Sequence, residues 1–451
     1  MTRYASIVVL LSLVTVISSP LLAGDEPWRP PAYKPLFTDE ERQAPHVVGR
    51  SFTFYNWPFL DGQWEGILCA DDDNVYFSIS SHAKEHHAQV FRYNQDLDKI
   101  QHLADLGHVC GETLIESAPQ DKIHSQMFEE GGVIYSGTCE GHSYKDLPYK
   151  GGYWLEINKK TGNVRSLAKT ITGDGLICVG YDRTNKLLYG HTNRLGRLIV
   201  FNPATLQEKD LGFPWEGSGA QWPRGLTLMI APDGRVYGAR PPACSFWEYD
   251  PKTGAIRTLD VKLPLPEDVV TGGEKVAEAY RNSAAHITLW NEHDKCFYFI
   301  RSFDGALCRL YPPEEGRKAR AEVIRVLRPD IPRRYGNRHA ACTLAIHNRT
   351  VYYTPYTGWG GEAHLVSYHL DTKAFTHHGP MIVEGNRRVN ECQSMDVGAD
   401  GKLYMVAFVY TIENVDTERP YAMRDKYPFH PRFVIIDPKT DFRTGKVIVA
   451  E

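Results

Sequence analysis

Histidine, arginine, cysteine and tyrosine recur at fixed distances from a repeated tyrosine motif, and these side chains can move protons, neutralise carboxylates and ligate metal ions. Eleven to thirteen residues before successive repeat tyrosines stand Trp64 with Glu65, His124, Cys178, Arg224, His286, His339, and Glu391 with Cys392. After the tyrosines come His82, His86 and His87, then His142 and Tyr144, His191 and Arg194, Arg240, and Tyr356 with Trp359. Packing alone would place small or apolar residues at most equivalent positions of a repeat. Three histidines and an arginine there point instead to a shared polar site for acid–base or charge-stabilising chemistry, since titratable groups gathered in a cleft are what such a site requires. Each residue taken singly is also compatible with a hydrogen-bonded lining group.

The repeat supplies the frame for that prediction. A short apolar strand, a polar turn and a tyrosine-bearing strand occur seven times, at Tyr76, Tyr135, Tyr189, Tyr237, Tyr298, Tyr352 and Tyr404, with a mean spacing of about 55 residues, a little above known propeller periods. After each comes an apolar strand, a turn rich in Asp, Asn, Pro, Thr and Gly, and a further strand, as in Trp247-Glu248-Tyr249-Asp250-Pro251-Lys252-Thr253-Gly254 and Val434-Ile435-Ile436-Asp437-Pro438-Lys439-Thr440. Both halves read as hairpins by their turn chemistry. Two hairpins make a four-stranded blade that cannot bury both faces alone, so the sequence predicts an all-β, seven-bladed β-propeller of four-stranded antiparallel blades. Parallel β-helices have much shorter coils. In a propeller the start of each innermost strand and the loop between second and third strands open on one face, which would bring the residues above to a common rim. The stretch from Val47 to Tyr55 could add an outer strand to the last blade, or the C-terminus could complete it alone.

The first 23 residues read as a signal peptide: Arg3, an apolar run from Ile7 to Val16, then Ser18, Ser19, Pro20 and Leu22-Ala23-Gly24. Residues 24–451 would then form one propeller domain, soluble after cleavage and secreted or periplasmic. The chain has 451 residues, 42% hydrophobic and 24% charged, with a formal net charge of -4, which gives no global reason to bind nucleic acid or a membrane surface. Nine cysteines are scattered without paired metal-type spacing. Most read as small buried residues, with Cys296 and Cys308 flanking a hairpin across which they could face one another.

The strings Lys122-Ile123-His124-Ser125 and Val133-Ile134-Tyr135-Ser136-Gly137-Thr138, followed by His142, resemble the β-propeller polysaccharide lyases that cleave ulvan and are seven-bladed. The resemblance spans about residues 120–200 and implies that His124 and His142 are the family's histidine pair, with Arg194, or secondarily Arg197, as its arginine. The family's tyrosine has no counterpart, because Cys178 occupies the equivalent register; a histidine or Tyr144 would serve as base. The implied reaction is β-elimination in an anionic, uronate-containing polysaccharide. Arg or protonated His neutralises the substrate carboxylate while a neutral His or Tyr takes the adjacent proton. Arg224, His191, Arg240, Trp359 and Arg197 would bind substrate, Trp359 by stacking on a sugar ring.

The basic segment from Arg317 to Arg338 could steer a polyanion, although Glu314, Glu315, Glu322 and Asp330 partly cancel it and favour a solvated connection. His286, His339 and Cys392 could meet one divalent ion such as zinc in a structural role; no cofactor is otherwise required. Two other functions fit the same rim: a non-catalytic propeller that binds carbohydrate or protein, and a metal-dependent propeller hydrolase or lactonase.

Overall fold

The computed structural model describes residues 40, 43–81, 83, 85–112, 117–140, 147–216, 218, 228–240, 245–281, 285–301, 303–326, 341–355, 362–410 and 429–443. Residues 1–23, read from the sequence as a signal peptide, lie outside them. No helix among the described residues is long and apolar enough to cross a membrane.

The repeat tyrosine has a structural cause. Tyr76, Tyr298 and Tyr404 are completely buried on the second strands of their hairpins, and a buried phenol needs a hydrogen-bond partner. In each case the partner is the aspartate four residues earlier, in the hairpin turn. Tyr76 Oη donates to Asp72 at 2.8 Å, Tyr404 Oη to Asp400 at 2.9 Å, and Tyr298 Oη to Asp294. The turn and the core are thereby tied together in one short sequence.

Five separate four-stranded antiparallel sheets follow one another along the chain. The first blade comprises Ile67–Cys69, Asn74–Ile79, Gln89–Asn94 and Lys99–Asp105, and the second Phe128–Glu130, Val133–Gly137, Tyr153–Asn158 and Val164–Lys169. The third is built from Leu176–Asp182, Leu187–Thr192, Leu198–Asn202 and Gln207–Gly212, and the fourth from Met229–Ile230, Val236–Arg240, Ser245–Asp250 and Ala255–Thr258. Ala285–Asn291, Cys296–Arg301, Ala306–Tyr311 and Arg320–Val326 make the fifth.

The remaining strands form a single ten-stranded sheet rather than two further separate blades. Eight of its strands run in the order Arg50–Thr53, Phe429–Ile436, Leu403–Tyr410, Arg387–Val397, Phe375–Val383, His364–His369, Thr350–Pro355 and Ala341–His347, and the other two, His46–Val48 and Phe442–Arg443, pair with each other off this path, His46–Val48 also pairing with Phe375–Val383. The join is the pairing of Ile382 with Arg388 and Val383 with Arg387, where the chain turns directly from one strand into the next. Arg50–Thr53 pairs antiparallel with Phe429–Ile436, so the early part of the chain supplies an outer strand.

Apolar clusters sit between neighbouring sheets and carry the ring around. Tyr76 and Val90 of the first blade pack with Ile134 and Leu155 of the second, and Trp154 of the second packs with Leu176, Leu188 and Phe201 of the third. Tyr189 and Leu198 meet Trp247 and Tyr249 of the fourth blade, whose Phe246 meets Phe299 and Cys308 of the fifth. The ten-stranded sheet closes the circuit at both ends: Tyr298 and Ile300 pack with Val351 and Tyr353, and Phe77 and Phe91 with Val406 and Phe433. Burying each such side chain contributes about 1.5–3 kcal/mol.

Cys296 and Cys308 do not face one another. Cys308 is opposite Phe299, an odd number of residues from Cys296, so the pleat sends the two thiols into cores on opposite faces of the fifth blade. Both are free.

Candidate active site

Four of the innermost strands share one irregularity. Their pairing with the second strand shifts register between Leu176 and Cys178, His286 and Thr288, Ala341 and Thr343, and Val389 and Glu391. Bulges of this kind re-aim side chains at the rims of β structures. Cys178, His286 and Glu391, three of the residues counted back from the repeat tyrosines, sit at these shifts. The backbone is also unusual here, with Glu65 at φ 55° and the β-branched Ile287 at φ 49°.

Several of the predicted rim residues meet. Glu65 of the first blade and His286 of the fifth approach to 3.1 Å, both nearly inaccessible. Trp64 and His124 stack with ring centroids 6.4 Å apart and planes inclined by 17°. Gln126 donates to the Thr288 carbonyl at 3.1 Å, linking the second blade to the fifth. Beside these contacts is a cavity of about 260 Å³ lined by Ile67, Gln126, Phe128, Leu289, Trp290 and Asp396. Burial lifts the Asp396 carboxyl to about 6, although the Cys69 and Val397 amides donate to it.

The second and third blades bring several charged side chains together. Lys122 and Cys139 form an antiparallel bridge, joining the stretch that carries His124 to the stretch that continues into residues 141–146. Immediately before that segment lies Glu140, whose carboxylate pairs with the Arg194 guanidinium. Glu140 is buried, whereas the Arg194 side chain is 47% exposed. Asp174 fixes the Arg194 loop by accepting from the Arg194 and Leu195 amides, each at 2.7 Å. Burial raises the Glu140 carboxyl to about 7; Arg194 opposes the shift and nearby Asp174 adds to it. A carboxyl with that value can give or take a proton near neutrality.

Lys122 is buried and its Nζ lies 3.5 Å from the centroid of the half-buried Trp64 ring. Burial lowers its pKa, while the charges of Asp121 and Asp61 oppose the shift. Close by, Gln120 organises the interior. Its Oε1 accepts from Thr138 at 2.7 Å and Tyr149 at 2.9 Å, and its backbone amide donates to His87 Nδ1 at 2.9 Å.

Other predicted residues go elsewhere. His191 is buried opposite Cys178, with its ring 5.4 Å from Trp215. Arg197 pairs with Asp210 on the outer strands of the third blade and covers the Phe213 ring at 4.6 Å. Arg240 ends the second strand of the fourth blade, and its buried Nε has no hydrogen-bond partner among the described residues. Cys392 lies in an apolar cluster with Val389 and Ala407 and donates to the Ser394 carbonyl at 3.0 Å, whereas His286 faces Glu65. Among the described residues no group of three or more His, Cys, Asp or Glu side chains is arranged to hold a metal ion. His142, Tyr144, Arg224, His339 and Trp359 lie outside the described residues, as do His82, Tyr356 and the part of the basic segment from 327 to 338.

No protein-family model and no curated protein sequence matches the chain. Among solved structures it is similar to the RRP9 WD40 repeats, at 11% identity and a TM-score of 0.50 over 89% of this chain and 99% of that one. It is also similar to U3-55K, at 10% identity and a TM-score of 0.51 over 87% of this chain and 100% of that one. A third likeness is the Cps50 (Swd1) β-propeller domain of Myceliophteria thermophila, at 7% identity and a TM-score of 0.50, covering 86% and 98% of the two chains. At such identities the likeness is one of fold: the chain is a β-propeller.

Proposed function

We propose that the chain is an exported polysaccharide lyase on a seven-bladed propeller, cleaving an anionic, uronate-containing polymer by β-elimination. The count of seven is supported by the ten-stranded sheet, which contains two consecutive four-strand runs, each with its own repeat tyrosine, Tyr352 and Tyr404. Arg50–Thr53 would be the outermost strand of the last blade.

The observation that carries the enzymatic reading is the meeting of Arg194 with Glu140, directly before the segment bearing His142 and Tyr144. The Lys122–Cys139 bridge ties that stretch to the one bearing His124. In the proposed reaction a base, His124, His142 or Tyr144, removes the C5 proton of the uronate. The electron pair forms the C4=C5 double bond, the C4–O4 bond breaks, and a second histidine protonates the departing oxygen. Arg194 or Arg224 faces the carboxylate on which charge develops. The test is incubation with ulvan, pectate, alginate and glycosaminoglycans while following the ultraviolet absorbance of an unsaturated product. Growth of that absorbance on one of them is expected; none on any, with or without zinc, manganese or calcium, overturns the proposal.

A further inference from the structure

Arg194, the side chain expected to meet a substrate carboxylate, already has a buried carboxylate against it. Lys122 is in the opposite position. Only 2% of it is exposed, and its ammonium rests on the Trp64 ring, with no ion pair or hydrogen bond to Nζ among the described residues. A ring face satisfies a cation only in part, because it supplies no lone pair to the three ammonium donors. The charges of Asp121 and Asp61 favour the charged form, without overcoming the effect of burial. A buried cation without an anion against it is costly, and an arriving anion would relieve that cost.

The position fits this role. Lys122 and His124 both lie against the same Trp64 ring, the ammonium at 3.5 Å from its centroid and the imidazole stacked at a centroid distance of 6.4 Å. An anionic group held at Lys122 would therefore lie beside a histidine and against the edge of a half-buried indole, an arrangement suited to a carboxylate carried on a sugar ring.

We infer that Lys122, on its Trp64 platform, is the binding site for the carboxylate of an acidic saccharide. The saccharide class rests on the lyase reading; the anion site rests on Lys122 and Trp64 themselves.

The experiment measures binding by titration calorimetry and tryptophan fluorescence. The probes are oligosaccharides of ulvan, pectate and alginate, each compared with its carboxyl-reduced neutral counterpart. Wild-type protein is expected to bind at least one acidic form on the order of tenfold to a hundredfold more tightly than its neutral form, as for a charge-assisted hydrogen bond. Lys122→Met should abolish that discrimination, and Lys122→Arg should keep most of it. The wild-type comparison stands even where Lys122→Met fails to fold. Equal binding of acidic and neutral forms, no binding of any probe, or unchanged discrimination in a folded Lys122→Met protein overturns the inference. Discrimination lost in Lys122→Met with no unsaturated product from wild type sinks the lyase reading and leaves the anion site standing. Product formed at the wild-type rate by Lys122→Met does the reverse.

Discussion

Replacing Glu140 with glutamine should remove a pH dependence of stability that the wild-type protein carries. The Glu140 side chain is 1% exposed, and its carboxyl is raised from 4.5 to about 7, chiefly by burial. A folded-state value above the unfolded one means that the native protein holds the proton more tightly. The associated stability is complete below the unfolded value and is lost as pH rises through the folded one, a window from about pH 4.5 to about pH 7. At 1.36 kcal/mol per unit the loss amounts to about 3 kcal/mol. The amide introduced by Glu140→Gln has no proton to lose in this range, and the half-exposed Arg194 can return to solvent. Urea unfolding of the two proteins at about pH 4 and about pH 8 should show wild type losing about 3 kcal/mol more than Glu140→Gln across that range. Parallel losses in both proteins would refute the assignment of Glu140 as a buried carboxyl that titrates near neutrality.

Three other outcomes follow from particular contacts. Glu65→Ala or His286→Ala alone should cost about 3–5 kcal/mol by stranding a buried partner, and the double substitution should cost less than the sum, as a double-mutant cycle would read. Gly152→Ala would place a Cβ 2.3 Å from the Thr138 carbonyl oxygen, and unfolding curves should show a loss of about 1–3 kcal/mol where the second blade meets the third. His124→Ala and His142→Ala should each lower kcat/KM for unsaturated-product formation by about 100-fold to 10,000-fold with folding intact by circular dichroism.

The periodic parts of the fold were legible in the sequence because periodicity is a local signal. The tyrosine hairpins repeat, three of them with a turn aspartate bonded to the tyrosine, and counting back from them brings Glu65 to His286 and Trp64 to His124. The seam at Ile382 and Arg388 was not legible, because backbone hydrogen bonding between neighbouring strand edges leaves no side-chain pattern. The strand pleat also decided against a Cys296–Cys308 contact, which hairpin position alone suggests. Glu140 carries no local sequence signal, although it stands two residues before His142. Its burial and its pairing with Arg194 depend on how two blades meet, which no local string records. Lys122 stands in the same short string as His124, but only the position of Trp64, against which both lie, reveals the lysine as a buried cation.

The most direct test of the account is mass spectrometry of the products formed from uronate polymers. Elimination predicts fragments with a new C4=C5 double bond at the non-reducing end, one water lighter than the corresponding hydrolysis products. Saturated fragments carrying that extra water would mean hydrolysis and would contradict the account, as would the absence of any cleaved product.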